Sequence, residues 1–220
     1  MALILRLVSG SSAKRPEPSG INAMPRVQRI LTGQPWRARE HDGRVATIRS
    51  NCRWCSDVFE FACWNGEVVR VASALDCHDR EAIAWIAISA GISGEMIRDM
   101  MVQCVEKRFG TIRAPHPVQW LSDNGSIFAA HKTIEIALAL NLAPCFTPVE
   151  SPESNGMAEA FVKTFKRDYV RINPIPNAAA ALAAIDHWMD DYNTVHPHSR
   201  LGYRSPANPP RVRFNGVNST

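Results

Sequence analysis

Three acidic residues, each in its own short motif, are the residues of this chain whose types and spacing could do chemistry. Asp57 ends a Trp-Cys-Ser-Asp motif, Asp123 lies in Leu-Ser-Asp-Asn-Gly, and Glu159 follows a Ser-Pro-Glu-Ser-Asn-Gly stretch. The gap between Asp123 and Glu159 holds 35 residues. Three carboxylates brought to one point repel each other unless cations lie between them, as in two-metal phosphoryl-transfer sites. The sequence therefore predicts that Asp57, Asp123 and Glu159, here called the acidic triad, bind metal together.

Two Mg²⁺ or Mn²⁺ ions are the cofactors that such a site would take. Magnesium prefers oxygen ligands in octahedral geometry, and two ions about 3.5–4 Å apart can flank a scissile phosphate. One ion would activate a water or a DNA 3′-hydroxyl and the other would stabilise the leaving oxygen. No His or Cys nucleophile is then needed. We expect Asp57 to bridge both ions, Asp123 to bind one and Glu159 to bind the other.

Other carboxylates compete for these roles. Asp76 ends a predicted strand, where it either supports a metal ligand or is a simple turn residue. Glu150 and Glu153 are close to Glu159 in sequence, but they fall on a predicted loop and are weaker candidates.

The histidines and cysteines favour plainer interpretations. A surface position is expected for the three histidines that stand alone among polar residues, His78, His116 and His131. His196 and His198 lie in a Pro-containing turn, where packing or DNA contact is favoured over metal binding. The Cys-x-x-Cys spacing at 52–55 has no second matching pair, which favours the start of a strand over a zinc or redox site.

Basic and polar residues around Glu159 are candidates for DNA binding. On a helix Lys163 and Lys166 lie about 40° and about 20° around the axis from Glu159, so one polar face carries all three. The alternative is an ordinary solvated Glu–Lys pair worth about 0.3–0.5 kcal/mol. Further residues predicted to contact DNA, or in two cases merely to cap the helix, are Ser154, Asn155, Arg167 and Arg200.

Charge is unevenly distributed along the 220 residues. Residues 1–50 carry a net charge of +6, residues 51–159 carry −6 and residues 160–213 carry +4. An acidic centre between basic arms suits a cation-loaded site whose flanks hold a polyanion. The sequence contains no long uncharged apolar run and no basic leader before an apolar stretch, so we expect a cytoplasmic protein.

The pattern of apolar residues predicts an α/β protein with a mixed five-stranded sheet and helices on both faces. Alternation at positions 55 to 63 predicts a first strand with Asp57 in an otherwise apolar row, and Asn65-Gly66 predicts a hairpin. Strands are predicted at 67–75, 82–89, 118–121 and 143–147, and helices at 22–31, 94–109, 128–140, 156–172 and 178–192. The predicted organisation is a basic leader, short helix and linker (1–50), a catalytic core (51–195) and a C-terminal tail (196–220).

Five motifs in fixed order resemble the DDE transposases of bacterial insertion sequences, specifically the second-frame (orfB) proteins with a retroviral-integrase-like core. The resemblance covers about residues 44–209, and its motifs lie at 53–57, 120–125, 151–159, 161–169 and 192–206. It implies an RNase H-like fold and a Mg²⁺-dependent enzyme that nicks element ends and joins the 3′-hydroxyl to target DNA. By motif match, the acidic triad takes the catalytic positions.

The resemblance also implies partners and leaves alternatives open. Family members act as multimers on terminal inverted repeats, and many work with a first-frame helix-turn-helix protein. Because such proteins act on bacterial DNA, we expect this protein to be associated with the nucleoid. The family usually has a smaller residue at the position of Val58 and a longer N-terminal region, of which only residues 22–31 resemble a part. The alternatives are an RNase H-like nuclease and a truncated, inactive DNA-binding remnant.

Overall fold

A five-stranded mixed sheet forms the centre of the computed structural model, which describes residues 47, 49–147 and 156–207. The strands are β1 (Arg53–Ala62), β2 (Val68–Asp76), β3 (Ala82–Ile88), β4 (Val118–Ser122) and β5 (Leu142–Phe146). Their order is β3-β2-β1-β4-β5. The pairs β1–β2 and β2–β3 are antiparallel, whereas β1–β4 and β4–β5 are parallel. The predicted mixed sheet is confirmed, and β1 is its central strand.

Helices cover both faces of this sheet, as predicted. They are α1 (Gly94–Phe109), α2 (Ser126–Ala129), α3 (His131–Ala139), α4 (Gly156–Phe165) and α5 (Ala178–Thr194). Apolar residues of α4 and α5 form one buried cluster with one face of the sheet, and those of α1, α2 and α3 form a second cluster on the other face. Within the described ranges, no helix is both long and apolar enough to cross a membrane. The predicted helix at 22–31 lies outside the described residues.

Alternation along β1 explains why the two faces separate so cleanly. Cys55, Phe59 and Phe61 are buried in the cluster under α4 and α5, while Trp54 is buried in the cluster under α1. The hairpin to β2 turns at Gly66, whose φ of +86° is in the region that favours glycine. The predicted first strand and hairpin are therefore confirmed, and Asp57 shares the face of the α4–α5 cluster.

The predicted bounds of α1 are confirmed at both ends. The side chain of Ser93 caps the start by accepting a hydrogen bond from the Met96 amide. Gly110 ends the helix with a φ of +65° and donates its amide to the Glu106 carbonyl. Helical spacing of the apolar residues predicts one buried stripe along α1 that ends with Phe109. All of its members except Phe109 are buried: Ile97, Met100, Met101, Cys104 and Val105.

The prediction of one helix over 128–140 is wrong, because α2 and α3 are separate. Ala130 between them has extended backbone angles (φ −58°, ψ 136°) and its carbonyl accepts the amides of Thr133 and Ile134. The Thr133 hydroxyl donates to the Ile127 carbonyl across the break. No Gly or Pro stands at this position, and the spacing of the apolar residues continues through it. The sequence therefore did not predict the break.

The apolar spacing of the helix predicted at 156–172 puts Ile172 on the buried face with Phe161, Phe165 and Tyr169. The predicted burial of Ile172 is wrong, because the helix changes pitch after Phe165. Lys166–Val170 form a π-helical turn, and the Arg171 amide donates to the Lys166 carbonyl five residues earlier. The wider turn shifts the phase of the following side chains. Val170 is therefore buried beside Tyr169, whereas Ile172 is 74% exposed.

The loop after β2 is held by a buried ionic network centred on Asp76. Its carboxylate accepts hydrogen bonds from the Asn51 amide, the Trp54 indole and the guanidinium of Arg108. Arg108 on α1 also pairs with Asp79 and Glu81. Of the two roles open to Asp76, the structure shows a turn residue that ties the sheet to α1.

We expect Arg108→Met to destabilise the protein by about 3–5 kcal/mol, because it leaves the buried Asp76 carboxylate without its cationic partner. The neighbouring exposed Lys107→Met is the matched control, expected to change stability by less than about 1 kcal/mol. Urea unfolding of both variants measures the difference. Equal losses would show that the network contributes nothing specific.

Candidate active site

The parallel pairing of β1 with β4 brings Asp57 level with Asp123. Cys55 pairs with Leu121 in this register, so Asp57 lies opposite Asp123 when each strand is followed two residues further. Side chains two residues apart share a face, and Cys55 and Leu121 belong to the same buried cluster. Neighbouring strands are about 4.8 Å apart. Asp57 and Asp123 thus each lie two residues beyond the last pair of the β1–β4 ladder, and Asp123 stands just after the end of β4.

Glu159 reaches the same face from the first turn of α4. Its neighbours Ala158 and Phe161 are buried in the cluster under this helix, and the Phe161 ring lies 6.2 Å from the ring of Phe59 on β1. Glu159 itself is half-buried. Packing of α4 on β1 therefore fixes the third carboxylate beside the strand that carries Asp57.

The charges of Asp123 and Glu159 both act on the Asp57 carboxyl. Burial raises the pKa of the Asp57 carboxyl, and the negative charges of Asp123 and Glu159 raise the pKa further. The Val58 amide, which donates to Asp57 Oδ1 at 2.8 Å, and the nearby Lys166 ammonium act in the opposite direction. The ionised form of Asp57 is thus disfavoured in the protein alone, and a cation at this point would offset that cost.

The three carboxylates do not form a closed chelating group. Among residues 47, 49–147 and 156–207, no three His, Cys, Asp or Glu side chains lie close enough together to hold a metal ion. Asp123 is turned towards its own loop, where its Oδ1 accepts the Gly125 amide at 2.9 Å. A Cβ at position 125 would lie only 2.8 Å from that oxygen, so any residue larger than glycine would clash with the Asp123 carboxylate.

Of the residues predicted to contact DNA, the structure brings Lys166 to the triad. Its ammonium lies 5.9 Å from the centre of the Phe59 ring and lowers the pKa of Asp57. Lys163 is exposed one turn earlier on α4. Arg167 instead forms a bidentate pair with its neighbour Asp168, at 2.6 and 2.7 Å.

The remaining predicted residues lie elsewhere. Arg200 is exposed in a short 3₁₀ turn, Ser199–Leu201, after α5. Glu150, Glu153, Ser154 and Asn155 fall outside the described residues.

The histidines and the Cys-x-x-Cys pair largely follow their predictions. His78 and His131 are exposed, whereas His116 is half-buried with its ring 5.6 Å from the ring of Phe109. His196 and His198 pack against the Tyr192 ring, with centroid distances of 5.6 and 4.8 Å. Cys52 and Cys55 lie at the start of β1.

Sequence reasoning missed two features near this site. The π-helical turn sets the orientation of Lys166 and of the residues after it. No Gly, Pro or other residue pattern in the sequence predicts this turn. Such turns are often found at functional sites. Arg80, in the loop between β2 and β3, has a φ of +66° and was not singled out either. Its left-handed backbone conformation is unusual for a residue other than glycine, but that conformation is visible only in the folded structure.

Known proteins match both the sequence and the fold. The integrase core domain family matches residues 48–152, and a second integrase core domain description matches residues 141–206. The uncharacterized protein of insertion element IS136 from Agrobacterium fabrum is 61% identical over 171 residues, which cover 77% of this chain and 88% of that protein. The transposase InsD of Escherichia coli insertion element IS2A/D/F/H/I/K is 52% identical over 168 residues, or 76% of this chain. This chain spans 56% of the InsD length.

A solved structure supports the same fold. The catalytic domain of Mos1 transposase, determined with raltegravir and Mg, superposes with a TM-score of 0.51 at 14% identity and covers 79% of this chain and 85% of that one. The fold is therefore the RNase H-like fold of integrase and transposase catalytic cores.

The chain belongs to the transposases of bacterial insertion sequences that carry an integrase core domain. That family performs polynucleotidyl transfer, so transposase catalytic function is the function of this core.

We expect Asp57→Asn to raise the melting temperature at pH 7 in the absence of divalent ions. The folded pKa of Asp57 lies above its unfolded value, so stability falls as the pH rises through the interval between them and stays reduced above it. The substitution removes that loss, and its advantage should shrink as the pH falls towards about 4, the ordinary Asp pKa. Thermal unfolding between pH 4 and 8 measures it.

Asp99→Asn, at an exposed position on α1, is the control and should show no such trend. If Asp57→Asn were no more stable than wild type at pH 7, the ionised carboxylate would not be disfavoured in this site.

Proposed function

We propose that this chain cleaves the ends of its insertion element and joins the freed 3′-hydroxyl to target DNA, using Asp57, Asp123 and Glu159 as metal ligands. The observation that carries the proposal is the register of β1 with β4, which sets Asp57 level with Asp123 on the face covered by α4. The raised pKa of Asp57 adds support, because both other carboxylates contribute to it.

The donor set fits two Mg²⁺ or Mn²⁺ ions. All three ligands are carboxylates, the oxygen donors that these hard cations prefer, and they come from a strand, a strand end and a helix. When bound, such ions supply charge stabilisation at the attacking and leaving oxygens of an in-line displacement. The protein's part is to present Asp57 from the central strand, Asp123 from the loop that follows β4 and Glu159 from the first turn of α4.

Lys163 on α4 and Lys166 at the start of the π-helical turn are suited to hold the DNA backbone beside the triad. Lys166 lies close to Asp57, and Lys163 is exposed on the same helix. Ser154 and Asn155 precede this helix and Arg200 follows α5, and we assign all three to DNA contact as well. Arg167 is the weakest of the proposed contacts, since it must first leave Asp168.

We further propose that the substrate DNA is the terminal inverted repeats of the element together with a target. Both ends of the element must be held together while they are joined to target DNA. We therefore propose that this chain acts as a multimer, in the bacterial nucleoid. A helix-turn-helix protein encoded in the first reading frame is the proposed partner.

The proposal predicts that Asp57→Asn, Asp123→Asn and Glu159→Gln each lower strand joining by about 10³-fold, because a lost metal ligand forfeits several kcal/mol of charge stabilisation. Oligonucleotides matching the element ends, Mg²⁺ and the first-frame protein make up the assay. EDTA should abolish joining and added Mg²⁺ or Mn²⁺ should restore it. Glu135→Gln, exposed on α3, is the matched control and should join at the wild-type rate.

The same assay separates the alternatives. Cleavage of an RNA–DNA hybrid without DNA joining would identify a nuclease. Equal signals from wild type and Asp123→Ala would identify a DNA-binding remnant without intrinsic catalysis. Either result would overturn the proposed function.

Removing the positive charge of Lys163 or Lys166 should weaken DNA binding to a similar extent for every DNA sequence. We expect Lys163→Met and Lys166→Met each to reduce the slope of log affinity against log salt by about 1, since each lost phosphate contact releases one counterion fewer. Fluorescence anisotropy with a labelled element end measures it, with exposed Lys132→Met on α3 as the control. An unchanged slope would remove these lysines from the interface.

A further inference from the structure

Two rows of apolar side chains, one on β1 and one on β2, face the cluster under α4 and α5, and one polar residue interrupts each row. Between positions 55 and 61 of β1 the interruption is Asp57, among buried Cys and Phe residues. Between positions 69 and 75 of β2 it is Ser73, among buried Val and Leu residues. The antiparallel register pairs Asp57 directly with Ser73. The two polar residues are therefore cross-strand neighbours on one face, with Cβ atoms about 4.5–5.5 Å apart.

The hydroxyl of Ser73 is buried without a hydrogen-bond partner. The residue has no exposed surface, and its Oγ makes no hydrogen bond in the structure. Burial of an unpaired hydroxyl costs free energy, and such groups are rare in folded proteins. Alanine, which occupies the flanking positions 72 and 74 of the same strand, would avoid this cost. A role for the hydroxyl is therefore expected.

Four side chains adjoin Ser73 on this face of the sheet, two on its own strand and one on each neighbouring strand: Val71, Leu75, Asp57 and Trp85. The two aliphatic side chains have no hydrogen-bonding atom. The indole of Trp85 is a donor only, and it already donates to Asp186 Oδ1 at 2.7 Å. Of these four neighbours, only Asp57 has a side chain that accepts hydrogen bonds.

The Asp57 carboxylate has room for a further donor. Its Oδ1 accepts the Val58 amide at 2.8 Å, which is its one hydrogen bond among the described residues. An ionised carboxylate offers about four lone-pair sites on its two oxygens. Hydrogen bonds to such a charged acceptor are stronger than those between neutral groups. A second donor could therefore orient this carboxylate and still leave lone pairs for cations.

We infer that Ser73 is a positioning residue for Asp57, whose ionised carboxylate accepts a hydrogen bond from the Ser73 hydroxyl and is thereby oriented to bind a divalent cation. The change required is rotation of the Ser73 side chain to another staggered χ1 position. Hydrogen bonds to catalytic groups often tighten only when the site is occupied. The inference rests on the proposed function in taking Asp57 as a metal ligand.

Ser56 provides a matched control for this position. It is as completely buried as Ser73, and its hydroxyl also lacks a partner. It stands next to Asp57 in the chain, but successive side chains of a strand point to opposite faces, so Ser56 faces away from the Asp57 side chain. Ser56→Ala therefore removes an equivalent hydroxyl that cannot orient the carboxylate.

Thermal unfolding of the full-length chain at increasing Mn²⁺ concentration tests the inference, because a bound ion raises the melting temperature according to its affinity. We expect Ser73→Ala to bind Mn²⁺ about 10-fold more weakly than wild type, the loss usual for a group that orients a metal ligand. Ser56→Ala should bind Mn²⁺ as wild type does. Equal Mn²⁺ affinities of wild type and Ser73→Ala would overturn the inference.

The same measurement in EDTA excludes a purely structural role. Neither Ser73→Ala nor Ser56→Ala should lower the melting temperature there, since each removes a hydroxyl that has no partner. A melting temperature lowered by Ser73→Ala in EDTA would show that the hydroxyl stabilises the fold through another group, and would count against the positioning role.

Ser73→Thr and Ser73→Val separate the hydroxyl from its packing. The two variants have nearly the same shape and differ in a hydroxyl against a methyl group. Ser73→Thr should keep most of the wild-type Mn²⁺ affinity, whereas Ser73→Val should lose as much as Ser73→Ala. Equal Mn²⁺ affinities of the Thr and Val variants would overturn the inference, even if the added methyl group lowers the stability of both.

Asp57→Asn distinguishes failure of this inference from failure of the proposed function. Mn²⁺ binding that is lost in Asp57→Asn but unchanged in Ser73→Ala would count against Ser73 alone. Mn²⁺ binding that Asp57→Asn leaves unchanged would remove Asp57 from the metal site and overturn both. Loss in Asp57→Asn with the 10-fold weakening in Ser73→Ala is the result that supports both.

Discussion

The register between two parallel strands is the constraint on which the acidic site depends. Because Cys55 pairs with Leu121, the residues two positions on, Asp57 and Asp123, reach the same level on the same face. A slip of one residue would send one carboxylate to the opposite face, into the cluster packed under α1. The buried residues that alternate along β1 prevent such a slip, since each face has its own apolar cluster.

Aromatic packing then sets the third carboxylate. The rings of Phe161 and Phe165 lie 6.2 and 5.5 Å from Phe59, which holds α4 on β1 with Glu159 in its first turn. The same packing delivers Lys166 over Phe59. The acidic triad thus comes from the central strand, the first turn of a helix and the loop that follows β4. The negative charges of Asp123 and Glu159 make ionisation of the half-buried Asp57 unfavourable in the protein alone.

Much of this arrangement follows from the sequence. Period-two alternation identified β1 and the face of Asp57, an Asn-Gly pair identified the hairpin, and an apolar stripe ending before Gly110 identified α1. These are local signals in which propensity and packing agree. The ordered motifs identified the family, which the relatives confirm.

Other features depend on tertiary contacts that no local pattern reports. The break at Ala130 and the π-helical turn at Lys166 have no Gly or Pro to mark them, so the apolar period ran through both and misplaced Ile172.

Anomalous diffraction from crystals soaked in Mn²⁺ would test the shared metal site most directly. The account predicts a peak between the carboxylates of Asp57 and Asp123, with the Asp123 side chain turned away from the Gly125 amide, and a second peak bounded by Asp57 and Glu159. Carboxylates that stay apart, with no peak at saturating Mn²⁺ in the presence of element-end DNA, would contradict it.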